Sequence, residues 1–203
     1  AEDLEQARKS PQLEGFRAKG VEVLLLTDPV DDFWLSVRPA YNEKPFRSVT
    51  RGGADLSKIA GGETETSEEE DKADKPGQTE LATLIAGIKQ ALGEKVKDVR
   101  ESGRLQESPV CLVADEFDMD LRLERVLKAH KQVDQASKRI MEINPRHPLI
   151  RRLAERIREG GVDDALTEAS ELLLDQALII EGEPIADPAA FSRRMADFMV
   201  RGL

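Results

Sequence analysis

The chain has 203 residues, with 40 acidic and 30 basic side chains and a net charge of −10. That balance excludes a protein that holds nucleic acid by neutralising phosphates, and no run of about 18 apolar residues is present to span a membrane. Only eight residues are aromatic (six Phe, one Trp, one Tyr), so a core must be built mainly from Leu, Ile, Val and Ala, the composition of a helix-rich α+β chain with room for one large domain or two small ones.

In chain order, Ser10-Pro11 reads as a helix cap followed by proline in the first turn, with Leu13 and Phe16 on one face and Gly20 as the stop. The apolar run VEVLLLT, residues 21–27, predicts a strand covered on both faces, ended by Asp28-Pro29. A helix carrying Phe33 and Trp34 is expected over 30–37 and a returning strand over 46–50, so the first sixty residues should make a small αβα layer. Residues 61–78 hold seven acids, two lysines and no large apolar side chain, which predicts a flexible acidic linker with half of the chain's net charge. Thr79 should cap a helix bearing Leu81, Leu84, Ile85, Ile88 and Leu92, with Gly93 at its end. Strands are expected over 95–101, 110–114 and 139–143, a charged helix over 118–131, and helices over 148–159, 162–181 and 187–201.

Catalytic signals are sparse. His130 and His147 lie 17 residues apart with no cysteine or carboxylate at zinc-ligand spacing, so solvated or capping roles are expected. Gly52-Gly53 and Gly61-Gly62 are not followed by the lysine and helix start of a phosphate loop, and no GxSxG elbow presents a nucleophile. Cys111, the one cysteine, sits between Val110 and Leu112-Val113; it reads as a buried strand residue in a reducing compartment. The chain reads as not an enzyme.

The helix over 162–181 carries the strongest physical signal. Val162, Leu166, Ala169, Leu173, Ala177 and Ile180 form a stripe that Ala165, Leu172 and Ile179 widen on one side and Leu174 and Leu178 on the other, so more than half of its circumference is apolar. The last helix adds Phe191, Met195, Phe198 and Met199 on one face. Two helices cannot close a bundle unaided, so either the preceding part of the chain covers them or a second copy does, as in a twofold four-helix bundle. On 118–131, Met119, Leu123, Val126, Leu127 and His130 share a narrow face, with Leu121 on the opposite, charged side. That face either packs on the sheet or meets partners, and Trp34 poses the same choice.

Four segments carry a family resemblance: GFRAKGVEVLLLTDPVDDFW (15–34), KVKDVRESGRL (95–105), EINPRHPLI (142–150) and ELLLDQALIIEG (171–182). Together they resemble the heat-shock protein 90 chaperones, in their bacterial branch. The resemblance implies the last part of the family's middle domain over 1–60 and its C-terminal dimerisation domain over 79–203, with an intermolecular four-helix bundle. It implies a homodimer interface at Leu166, Ala169, Leu172, Leu173, Ala177, Ile180, Phe191, Met195, Phe198 and Met199. It also implies contact with unfolded or partly folded client proteins through Trp34, Met119, Leu123, Val126 and Leu127.

The same resemblance implies that the ATP-binding domain and the arginine that contacts the γ-phosphate precede Ala1. The expectation is therefore a fragment without ATP, Mg or ATPase activity, from a cytoplasmic bacterial stress-response chaperone. The ending Val200-Arg201-Gly202-Leu203 lacks the Met-Glu-Glu-Val-Asp tail, so no tetratricopeptide co-chaperones are expected. The rival reading is a structural dimerisation module without client binding.

Overall fold

The computed structural model describes residues 3–52, 56, 76–131 and 137–202, which mix helix and strand. Its centre is a three-stranded sheet of β3 (Asp98–Glu101), β4 (Val110–Val113) and β5 (Ile140–Ile143), after a two-strand hairpin of β1 (Ala40–Tyr41) and β2 (Lys44–Pro45) nearer the amino end. The strand order is β3-β5-β4; β3 runs parallel to β5 with Val99 opposite Met141, and β4 antiparallel to it with Val110 opposite Ile143.

Side chains alternate across the sheet. Val99, Val110, Leu112, Met141 and Ile143 join one apolar core with α4 (Gln78–Leu92), α6 (Pro148–Gly160) and α7 (Asp164–Glu181). Cys111, Val113 and Ile140 form a smaller cluster with Leu105. Helix α4 packs on β3, α6 and α7, α7 packs on β4, and α8 (Pro188–Gly202) packs on α7.

The first helices wrap this unit. Beyond α1 (Leu4–Arg8), Ser10 caps a 3-10 turn over Pro11–Leu13 that leads into α2 (Glu14–Ala18), and Gly20 ends the run at φ +64. Leu13 and Phe16 are buried as their spacing requires. Gln12 Nε2 donates to Leu112 O at 2.6 Å and to Glu181 Oε1 at 3.0 Å. The Glu14 carboxylate accepts from the backbone N–H groups of Gln106 (2.6 Å), Glu107 (2.8 Å) and Ser108 (3.2 Å) and from the Ser108 hydroxyl.

Several expected elements differ. Residues 21–27 form no strand: no neighbour pairs with them among the described residues, and Leu24 lies exposed. An apolar run becomes a strand only where another strand supplies its hydrogen bonds. The 46–50 return is likewise not a strand. Instead Thr50 and Gly52 bond to Ala114 across an isolated parallel bridge, which lengthens the β4 edge by one step. The αβα layer is therefore not formed by the described residues. Helix α3 (Pro29–Val37) matches expectation, whereas α4 starts at Gln78 with Gly77, not Thr79, in the cap position. The acidic stretch over 61–75 lies outside the described residues. Expected strands over 95–101, 110–114 and 139–143 appear in shortened form as β3, β4 and β5.

Candidate interaction surfaces

Helix α3 is well specified locally. Asp28 accepts from Val30 N at 3.0 Å, Asp31 accepts from Asp28 N at 3.1 Å, and Pro29 takes the first position, so the entry is fixed before any tertiary contact forms. Its apolar residues Val30, Phe33, Trp34 and Val37 follow the i, i+3, i+4, i+7 rule of a helix face, and all four are exposed, Trp34 to 48% and Val37 to 77%. Trp34 rests against Phe46 in a tilted pair with ring centroids 5.7 Å apart, and Tyr41 of the hairpin is also exposed. Of this stripe only Trp34 is assigned from the sequence; the same spacing rule would have added Val30, Phe33 and Val37, because it marks an apolar face without saying which side of the molecule it takes.

Helix α5 (Leu121–Ala129) packs against α3. It begins three residues later than expected, so Met119 precedes it; Asp120 is its cap and accepts from Arg122 N at 3.0 Å. The apolar spacing leaves its placement open, on the sheet or toward partners, and the residues turned fully inward lie on its other side. Leu121 and Glu124 are buried, and Glu124 is held by Arg139 of the neighbouring β5 entry at 2.9 and 3.1 Å and accepts from Ser137 N at 2.9 Å. This bidentate pair anchors the charged side, which leaves Met119, Leu123, Val126 and Leu127 half-buried and His130 exposed. Phe117, in the loop before them, is 92% exposed.

The penultimate helix corrects the interface expected there. Leu166, Ala169, Leu173 and Ala177 are buried inside a single copy, in the core shared with α4 and the sheet, so they present no surface to a partner. Each fully buried Leu contributes about 1.5–3 kcal/mol to that core. The outer residues differ: Leu172, Ile180, Phe191 and Phe198 are half-buried, with Phe198 packed on the core, while Ile179, Met195, Met199 and Val200 are exposed, Met199 to 60%. The open apolar strip therefore lies on α8 and the outer edge of α7.

Buried charge is concentrated where the amino-terminal helices meet the sheet. Glu142 pairs with Arg104 at 3.0 Å and with Arg100 at 2.7 Å and accepts from Ser102 Oγ at 3.0 Å; Arg104 also donates to Val49 O and to Arg51 O. Burial pushes the Glu181 carboxyl up to about 7, against the pull of Arg125. Burial also raises the Cys111 thiol well above its usual range, as an inert core cysteine requires. His147 caps α6 by accepting from Leu149 N through Nδ1 at 3.1 Å, which is the capping role expected for it. Among the described residues, no group of three or more His, Cys, Asp or Glu side chains could hold a metal ion, and no helix is long and apolar enough to cross a membrane.

The family model described as Hsp90 protein matches residues 1–203. The chain belongs to the heat-shock protein 90 family. Chaperone protein HtpG of Paramagnetospirillum magneticum is 59% identical over 202 residues, covering 100% of this chain and 32% of that protein. The proteins of the same name from Roseobacter denitrificans and Rhodospirillum rubrum are 51% and 47% identical, covering 98% and 100% of this chain and 32% of each relative. The chain thus spans about a third of the length of the curated relatives it matches.

These matches correct three expectations. The chain does not stand as a C-terminal dimerisation fragment that is not an enzyme and has no ATP or Mg. The family match runs over residues 1–203, and the HtpG relatives align with the whole of this chain over about a third of their own length, so the reading as a C-terminal piece set apart from nucleotide chemistry is not upheld. The bacterial chaperone branch named by the relatives agrees with the resemblance read from 15–34, 95–105, 142–150 and 171–182.

Proposed function

We propose that this chain bears the polypeptide-contacting surface of a bacterial heat-shock protein 90 chaperone that acts in the cytoplasm as a homodimer on unfolded or partly folded client proteins. The observation that supports this most is the α3 stripe, four apolar residues at helical spacing left in water beside the half-buried apolar side of α5. Contiguous exposed apolar side chains of this kind mark a surface for interaction. Aromatic and branched side chains with no fixed hydrogen-bond pattern suit many partners, because they grip by area. Client contact then falls to Trp34 together with Val30, Phe33 and Val37, and to Met119, Leu123, Val126 and Leu127. Phe33→Asp combined with Val37→Asp should abolish most of the chain's ability to suppress aggregation of a heat-denatured protein, with unchanged circular dichroism; full retained suppression would refute the proposal.

A second observation favours self-association. The open strip of Ile179, Met195, Met199 and Val200 lies on the last two helices, with Leu172, Ile180 and Phe191 half-buried beside it. Pairing of α7 and α8 with their mates, in a four-helix bundle about a twofold axis, would cover it.

A further inference from the structure

Two carbonyls of the strandless 21–27 segment are held from elsewhere in the chain. Arg122 Nη1 donates to Leu26 O at 2.5 Å, and Nη2 donates to Thr27 O. Arg122 lies in the first turn of α5, and the residue after Thr27 is Asp28, the cap of α3. One planar guanidinium thus ties the start of α5 to the entry of α3 through two successive carbonyls, a fork that lysine cannot reproduce.

The exit side is fastened to the same turn. Asp120 uses Oδ1 to cap α5 and Oδ2 to accept from Thr50 Oγ1 at 2.6 Å and from Ser48 Oγ. Ser48 and Thr50 follow Phe46, whose ring packs on Trp34. Both the chain entering α3 and the chain returning from it are therefore pinned to the first turn of the helix that bears Leu123, Val126 and Leu127.

We infer that Arg122 and Asp120 are positioning residues that join the α3 stripe and the α5 apolar side into one binding surface for non-native polypeptide; this rests on the client reading above. Neither side chain need touch the client. Held in register, the two patches act on one extended chain, and the second contact becomes intramolecular once the first is made. Released from each other, each would bind alone and weakly.

The test uses reduced, carboxymethylated α-lactalbumin as a permanently unfolded probe, with Kd read by fluorescence anisotropy. Arg122→Ala should raise Kd about tenfold, Arg122→Lys should restore only part of it, and amide exchange over residues 28–34 should quicken. Ser48→Ala with Thr50→Ala, which leaves Arg122 intact, should shift Kd in the same direction. In a Phe33→Asp background, Arg122→Ala should add less than twofold, because one patch is already lost. Binding by the intact chain with Kd unchanged in both clamp variants, or independent multiplication of the two effects, overturns the inference alone. No binding of the probe by the intact chain overturns the client reading, and the inference falls with it.

Discussion

Glu181 and His147 titrate in opposite senses, and each can be isolated by one substitution. Folded Glu181 keeps its proton up to about 7 because burial outweighs Arg125, while an unfolded glutamate releases it near 4.5. The folded state therefore binds the extra proton between those values, so this group's stabilisation is greatest below about 4.5, declines as pH rises and is gone above about 7. Glu181→Gln should flatten that decline, read as the urea midpoint at pH 5 against pH 8, and retain the acceptor for Gln12. Folded His147 lies below its usual value, through burial against the opposing pull of Glu14. Its Nδ1 must be unprotonated to accept from Leu149 N, so this cap is present above about 6.5 and lost as pH falls through the lowered folded value. His147→Asn should keep α6 capped at low pH, and His147→Ala should lower stability by about 1 kcal/mol at neutral pH. At the same scale, Arg139→Met strands the Glu124 carboxylate in a buried site and should cost about 3–5 kcal/mol by denaturant unfolding.

Helix α2 shows how an element's seat follows from one missing methyl. A Cβ built on Gly15 would stand 2.6 Å from Arg104 O and 2.8 Å from Arg104 Cα, both backbone atoms that cannot rotate away. Gly15→Ala should therefore destabilise by about 1–3 kcal/mol, although alanine is the better helix former, and faster amide exchange over 102–108 should accompany the loss. The elements that were readable from sequence are those with local determinants: the caps Ser10, His147 and Asp187, the terminal glycines Gly20 and Gly93, and the apolar strands Val110–Val113 and Ile140–Ile143. Residues 21–27 misled because a β-rich apolar run states only that a strand is possible; the partner that would make it one is a non-local fact. For helix α5 the apolar spacing left two placements open, on the sheet or toward partners, and it could not choose between them. The choice depends on the non-local Glu124–Arg139 pair, which accompanies the burial of Leu121 and Glu124 and leaves the apolar side half-buried. Of the candidate client residues, Trp34 was named only through the family resemblance; Val30, Phe33 and Val37 share its helical spacing, but that this face is exposed is visible only in the fold.

At the scale of the whole molecule, the open strip on the last two helices and the filled stripe beneath it make different predictions. Leu173 and Leu166 belong to the core of one copy, so Leu173→Asp should unfold the chain and says little about pairing. Met199 and Val200 are exposed at the end of α8, where Arg201 lies over the Phe198 ring at 5.6 Å and reaches Glu168 at 3.4 Å. Placing a carboxylate at Met195 or Met199 costs the single copy almost nothing, since neither side chain is buried in it. In a twofold pair the same carboxylate would be desolvated beside its own mate, where like charges repel and apolar area is lost on both copies at once. Met195→Asp with Met199→Asp should therefore convert a dimer of about 45 kDa, twice the chain's 22.5 kDa, into a 22.5 kDa monomer in sedimentation at micromolar concentration, with unchanged circular dichroism. A parent chain that already sediments as the monomer, or a double variant that keeps the dimer mass, would place the partner of this strip elsewhere and leave self-association through α7 and α8 without support.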